Sequence, residues 1–125
     1  MKNVLIIIGL LAYSATGIAG DGPFAEKHIT QYPFVATQER HKAIIDNYQR
    51  ITPGMTVAEV EAILGAPDEV RPLYEPKIET GKQIGHTFWY VLQRSKESGS
   101  VEEKGESVVR IAFQLDGTVT AVDRW

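Results

Sequence analysis

The segment HTFWYVLQ, residues 86–93, is rich in aromatic and branched side chains and predicts a β-strand. Because successive side chains of a strand point to opposite faces, its apolar residues divide into two sets. These sets are Phe88, Tyr90 and Leu92 on one face, and Trp89 and Val91 on the other. A fold that contains this strand must cover both faces or use one of them for binding. We assign the set of three to the hydrophobic core.

A short strand is predicted upstream, over residues 69–74. Pro72 favours an edge position for it, because proline has no backbone N–H to donate to a neighbouring strand. Residues 75–85 contain glycine and proline and predict a loop. The charged, glycine- and serine-rich residues 95–106 predict a second loop that is exposed.

A hairpin is predicted at the C-terminal end of the sequence. Residues 108–115 alternate between apolar and polar side chains, as a half-buried strand does. Asp116-Gly117 is a strong signal for a tight hairpin turn, and residues 118–125 then form the last strand. The apolar face of the first hairpin strand consists of Val109, Ile111, Phe113 and Leu115.

Two helices are predicted before the strands. The first covers residues 36–50, and its apolar stripe has the spacing i, i+4, i+7 at Ile44, Tyr48 and Ile51. The second begins at a capping box, in which the Thr56 hydroxyl accepts from the amide of Glu59 and the Glu59 carboxylate accepts from the amide of Thr56. Met55 and Val60 have the spacing of a hydrophobic staple. The buried face of this second helix consists of Val60, Ile63 and Leu64. Gly65 and Pro67 mark its C-terminal end.

The order of these elements is two helices followed by three or four antiparallel strands. It predicts an α+β fold in the form of a two-layer sandwich, with the two N-terminal helices packed on one face of a meandering three- to four-stranded antiparallel sheet. This domain covers residues 36–125.

The first 19 residues have the layout of a secretory signal peptide. Lys2 is followed by an apolar run over residues 4–12 and by small residues that place the cleavage site after Ala19. A membrane-spanning helix needs about 20 apolar residues, and this run is shorter. We therefore predict a cleaved signal peptide over residues 1–19 and a periplasmic protein. Secretion, or an inner-membrane anchor formed by an uncleaved N-terminus, are the alternatives.

Residues 20–35 predict a strap or tether between the signal peptide and the domain. They contain glycine and proline and show no periodicity. Their aromatic side chains Phe24, Tyr32 and Phe34 are too apolar for a free linker, so part of the strap is expected to pack on the domain. These side chains are candidates to cover the face of the central strand that carries Trp89.

Composition excludes several classes of function. There are no cysteines, which rules out disulfides, thiol catalysis, thiolate metal sites and a lipid anchor on cysteine. The formal charge of −3 becomes −4 when residues 1–19, with one lysine and no acid, are removed. A mildly acidic chain without a clustered basic face does not indicate nucleic-acid binding.

Neither a catalytic nor a metal site is predicted. His28, His41 and His86 lack the spacing of metal ligands, and a metal site needs at least three convergent ligands. The serines do not occur in a Gly-x-Ser-x-Gly motif. Two acidic groups are candidates for acid–base work: Asp68 and Glu69, and the run Glu102, Glu103 and Glu106. The second group lies in the predicted exposed loop, so we expect it to be solvated, and we expect no catalytic residues or cofactors.

Three segments carry a resemblance through their order and spacing. They are Ile51-x-x-Gly54-Met55-Thr56-x-x-x-Val60-x-x-x-Leu64-Gly65-x-Pro67, Thr87-Phe88-Trp89-Tyr90-Val91-Leu92, and Val109-x-Ile111-x-Phe113-x-x-Asp116-Gly117-x-Val119. The first resembles the helical signature of the SmpA/OmlA family, the BamE-like domain. The second and third resemble its aromatic central strand and its closing hairpin. The family lies in a wider fold group that includes secreted β-lactamase inhibitory proteins.

The resemblance implies a non-enzymatic periplasmic interaction module, accessory to outer-membrane protein assembly or envelope maintenance. Its implied partners are envelope proteins, including the outer-membrane assembly machinery, and anionic lipid head groups. An inhibitor that docks on an enzyme through its sheet is the alternative function. The candidate partner-binding residues are Trp89, Val91, Arg110 and Trp125. Aromatic and arginine side chains are the usual anchors of protein interfaces.

Overall fold

The computed structural model describes residues 22–76, 81–96 and 105–125. The predicted signal peptide, together with Glu102 and Glu103, lies outside the described residues. The elements in chain order are β1 (Phe34–Val35), α1 (Gln38–Asn47), α2 (Val57–Leu64), β2 (Glu69–Tyr74), β3 (Gln83–Arg94), β4 (Ser107–Gln114) and β5 (Val119–Arg124), with short 3₁₀ turns at Gly22–Phe24 and Tyr48–Arg50.

The α+β fold class is confirmed: two helices pack with an open antiparallel sheet. The sheet has five strands and not three or four, because the strap contributes β1. β3 is its long central strand, with β4 and then β5 on one side. Its other side is shared by two strands: β2 pairs with Gln83 to Trp89, and β1 pairs with Gln93 and Arg94.

The core lies between the helices and one face of the sheet. The assignment of Phe88, Tyr90 and Leu92 to the core is confirmed, because none of the three is more than 1% exposed. They pack with apolar side chains of the neighbouring elements, which are Ile44, Val60, Leu64, Val70, Val109, Ile111, Phe113 and Val119.

The predicted caps of α2 are confirmed. The Thr56 hydroxyl accepts from the Glu59 amide at 3.2 Å, and the Glu59 carboxylate accepts from the Thr56 amide at 2.9 Å. Gly65 ends the helix with φ 83°, a left-handed value that favours glycine. The Tyr90 hydroxyl donates to the Gly65 carbonyl at 2.9 Å, which joins this helix end to the central strand.

Several predicted boundaries are wrong. The first helix is shorter than residues 36–50, because its last turn is a 3₁₀ turn. β3 begins at Gln83, inside the predicted loop. Leu115 is not on the core face, since the Gly117 amide donates to the Gln114 carbonyl at 2.8 Å and places Leu115 in the turn, 60% exposed. Neither helix of the described ranges has the length and apolarity that crossing a bilayer requires.

Candidate protein-interaction surface

The sheet face opposite the helices carries a second apolar cluster, which we call the Trp89 cluster. It consists of Trp89, Val91 and Val108, with Ile29, Phe34 and Trp125 packed against it. Ile29 and Phe34 belong to the strap, so the strap covers this face in part, as predicted. Trp89 is only 4% exposed and Val91 is fully buried.

Arginines surround the Trp89 indole. The guanidinium carbon of Arg71 lies 4.1 Å from the ring centroid, and those of Arg110 and Arg94 lie at 5.5 and 5.7 Å. The ring of Trp125 meets Trp89 edge-on at a centroid distance of 5.7 Å. The indole N–H donates to the Thr87 hydroxyl at 2.8 Å. The ring is therefore held by cation–π contacts and by a satisfied hydrogen bond, and it is not loosely packed.

A buried ionic network lies beside the indole. Arg94 is fully buried; its Nε is 2.6 Å from Glu106 and its Nη1 is 3.0 Å from Glu69. Glu69 also pairs with Arg71, and the Trp125 indole N–H is 3.4 Å from Glu106. The expectation that Glu106 is solvated is wrong, because its side chain is fully buried against Arg94.

A bulge in β3 places Arg94 in this network. The pairing register of β3 with β4 shifts between Val91 and Gln93. By simple alternation Arg94 would share the core face with Leu92, but a bulge inserts one residue and reverses the alternation beyond it. Arg94 therefore lies on the Trp89 side of the sheet, where it meets Glu69 and Glu106.

The charges of the network favour its ionised form. Burial alone would raise the pKa of Glu69, but the amide of Ile29 and the guanidiniums of Arg71 and Arg94 outweigh it and hold that pKa below the ordinary value of 4.5. Burial likewise opposes the charge of Arg94, but Tyr32 and the two carboxylates raise its pKa above the usual range. Glu69 and Arg94 thus stay charged at neutral pH.

Backbone and polar contacts hold the strap across this face. The Ile29 amide donates to Glu69 at 2.9 Å, and the Tyr32 hydroxyl donates to the Ile29 carbonyl at 3.3 Å. Lys27 and Val70 exchange both backbone hydrogen bonds, at 3.0 and 3.1 Å. The Ala36 amide donates to the Leu92 carbonyl at 3.0 Å, so the strap is fastened at both ends.

The strap aromatics do not all cover the Trp89 cluster. Phe34 does, whereas the Tyr32 hydroxyl donates to the Ile29 carbonyl within the strap. Phe24 lies on the opposite, helix-facing side, where it stacks on His86 at a centroid distance of 4.1 Å and meets Phe88 and Phe113. The prediction that Phe24 could cover Trp89 is therefore wrong.

Only part of the predicted partner-binding set is accessible. Trp89 and Val91 are buried, so they are not surface anchors while the strap is in place. Arg110 and Trp125 are partly exposed, and Arg110 donates to Asp123 at 2.9 Å. The sequence missed the ionic network beside the indole, formed by Glu69, Arg71, Arg94 and Glu106, because pairs between distant residues leave no local pattern.

The other candidate chemical residues have structural contacts. Asp68 accepts from the Val91 amide at 2.8 Å and from Arg40 at 3.1 Å, which ties the end of α2 to β3. His28 is 2.9 Å from Glu26 on the surface. Within the described ranges, acidic and histidine side chains do not gather in a group that could hold a metal ion.

Protein-family models give no match to the chain, and neither do curated proteins. The geometry of the sheet face therefore carries the functional argument, together with the resemblance of the sequence segments.

Proposed function

We propose that this protein is a non-enzymatic periplasmic interaction module of the BamE-like type, which binds an envelope protein through the Trp89 face of its sheet. The observation that carries the proposal is the position of the partly exposed Arg71, Arg110 and Trp125 around Trp89, on a sheet face that none of the described helices covers. Tryptophan and arginine are over-represented among the residues that dominate binding energies at interfaces. The resemblance to the SmpA/OmlA family favours a partner in outer-membrane protein assembly.

Two features support a binding role for this face. Half-buried groups border the cluster, with Arg71 at 24%, Arg110 at 30% and Asp123 at 47% side-chain exposure. They form a polar rim around an apolar centre, which is the usual arrangement of an interface. The described carboxylates near the cluster are engaged by arginines, so they serve the structure and leave no pair poised for acid–base chemistry.

An inhibitor of an envelope or secreted enzyme is the second candidate. It is favoured by the same face, which none of the described helices covers, because a sheet face can dock on an enzyme without supplying chemistry of its own. The two candidates differ in the partner that they predict: components of the assembly machinery for the first, and a single soluble hydrolase for the second.

Affinity capture from an envelope extract with matched variants tests the proposal. Arg110→Ala removes a rim arginine from the Trp89 face, whereas Arg124→Ala removes an exposed arginine that contacts Tyr48 on the helix-facing side. We expect Arg110→Ala to reduce recovery of a defined partner and Arg124→Ala to leave it unchanged. Equal recovery with both variants would contradict the use of this face.

A further inference from the structure

The strap covers the Trp89 cluster but is itself less buried than the residues beneath it. None of residues 22–35 is fully buried, and Ile29, Tyr32 and Phe34 keep part of their surface exposed. The residues beneath them differ, since Trp89, Val91 and Val108 have exposures of 4% or less. The strap is thus less buried than the residues beneath it, and segments with fewer buried contacts open locally at a lower free energy than the core.

The charged groups beneath the strap also lower the free-energy cost of releasing it. The strap donates to Glu69 from the Ile29 amide and pairs with Arg94 through Phe34, as well as packing on apolar side chains. When it leaves, water reaches these charged groups and hydrates them, which offsets the lost contacts. Release from a wholly apolar floor would have no such compensation.

Release of the strap would leave specific hydrogen-bonding groups without their partners. The Val70 N–H and C=O lose Lys27, Glu69 loses the Ile29 amide, and the Leu92 carbonyl loses the Ala36 amide. The indole of Trp89 loses Ile29 and Phe34. An extended peptide segment can satisfy these groups by pairing with Val70 of β2 and with the end of β3 at Leu92, and by placing two apolar side chains on the indole.

We propose that the strap is a displaceable cover that occupies the site of a partner segment. The partner segment has the chemistry of the strap: an extended chain with an aliphatic and an aromatic side chain five residues apart, like Ile29 and Phe34. This inference rests on the proposed binding function of the same face and names the kind of segment that it binds.

Hydrogen exchange on the full mature chain tests displacement. We expect the Ile29 and Ala36 amides to exchange roughly a hundredfold faster than the amides of β4, because they open with the strap and not with the whole domain. Equal opening free energies for the strap and for β4 would overturn the inference, since the strap would then leave only on global unfolding.

A designed cross-link provides the matched control. Val35 and Gln93 are directly opposite in the β1–β3 pair and both are exposed, so Val35→Cys with Gln93→Cys can form a disulfide that holds Phe34 in place. The chain has no other cysteine, so the pairing is unambiguous. The reduced form can release the strap and the oxidised form cannot.

A peptide tests the chemistry of the partner segment. The probe is a synthetic peptide of residues 26–36, and its control carries serine in place of Ile29 and Phe34. The only two tryptophans of the chain lie in the Trp89 cluster, so intrinsic fluorescence reports on this site. The receptor is the reduced double-cysteine chain carrying Phe34→Ala, which weakens its own strap.

We expect the peptide to give a saturable change in tryptophan emission with the reduced receptor and at least a tenfold weaker response with the oxidised one. The serine control peptide should give none. Equal responses to both peptides, no response in the reduced form, or equal binding by both redox forms would overturn the inference. If the peptide binds but no envelope partner is captured, the proposed function fails and the displaceable strap stands.

Discussion

Arg94 provides the most informative perturbation of the buried network. It is fully buried and lies 2.6 Å from Glu106 and 3.0 Å from Glu69. Arg94→Met keeps much of the side-chain volume but removes the only guanidinium that contacts Glu106 in the described ion pairs. Removing one partner of a buried ion pair costs about 3–5 kcal/mol, because the other charge stays buried without compensation. We expect the free energy of unfolding at pH 7, measured by urea unfolding, to fall by that amount in Arg94→Met.

The pH dependence of this loss distinguishes an ionic cause from a packing defect. The folded-state pKa of Glu69 is held below its ordinary value of 4.5, in part by Arg94. A lowered pKa contributes stability that is fully present above the unfolded value and is lost as the pH falls through the folded one. The difference in free energy of unfolding between the wild-type protein and Arg94→Met should therefore be largest above pH 4.5 and should shrink at lower pH.

A second substitution provides the control. Glu106→Gln in the Arg94→Met background replaces the uncompensated carboxylate by a neutral amide, so it should recover part of the lost stability. A loss below about 1 kcal/mol for Arg94→Met, which is the range of exposed ion pairs, would refute the reasoning. A loss that neither depends on pH nor responds to Glu106→Gln would refute it as well.

The remaining predictions concern the N-terminus and the packing of the domain. Mass spectrometry of the mature protein should give an N-terminus near Gly20, and an intact Met1 on a cytoplasmic protein would contradict export. Thr56→Ala should cost about 0.5–2 kcal/mol in urea melts, the usual value of a lost helix cap. Gly85→Ala should be more damaging, because a Cβ there would lie 2.0 Å from the Phe113 carbonyl oxygen; an unchanged melt would show that the backbone moves apart freely. Phe88→Ala should cost about 3–5 kcal/mol, since the ring is fully buried, and a tolerated substitution would contradict the assigned core.

Sequence patterns predicted the parts of the fold that rest on local chemistry. The capping box of Thr56 and Glu59 is a short-range pattern, and both of its hydrogen bonds are present. The facing of β3 follows from alternation as far as Leu92. The turn at Asp116 and Gly117 is also local, and the Asp116 carboxylate accepts from the Thr118 amide at 2.9 Å.

The candidate site was harder to predict because it depends on one bulge and on distant pairs. The register shift after Val91 turns Arg94 to the face where Glu69 lies, and no periodicity in the sequence signals a bulge. Glu106 sits at the end of a charged stretch whose composition predicts exposure, yet its burial follows from Arg94, twelve residues away. The burial of Trp89 depends on the strap, whose short strand β1 is too brief to predict from propensity.

Site-specific photo-crosslinking in living cells tests the central claim, that the Trp89 face binds an envelope protein. A photoreactive amino acid at Ala121, an exposed position on that face, is compared with one at Gln49, an exposed position in the helical layer. We expect a discrete adduct with an envelope protein at Ala121 and none at Gln49. The absence of an adduct at Ala121, or equal adducts at both positions, would contradict the account.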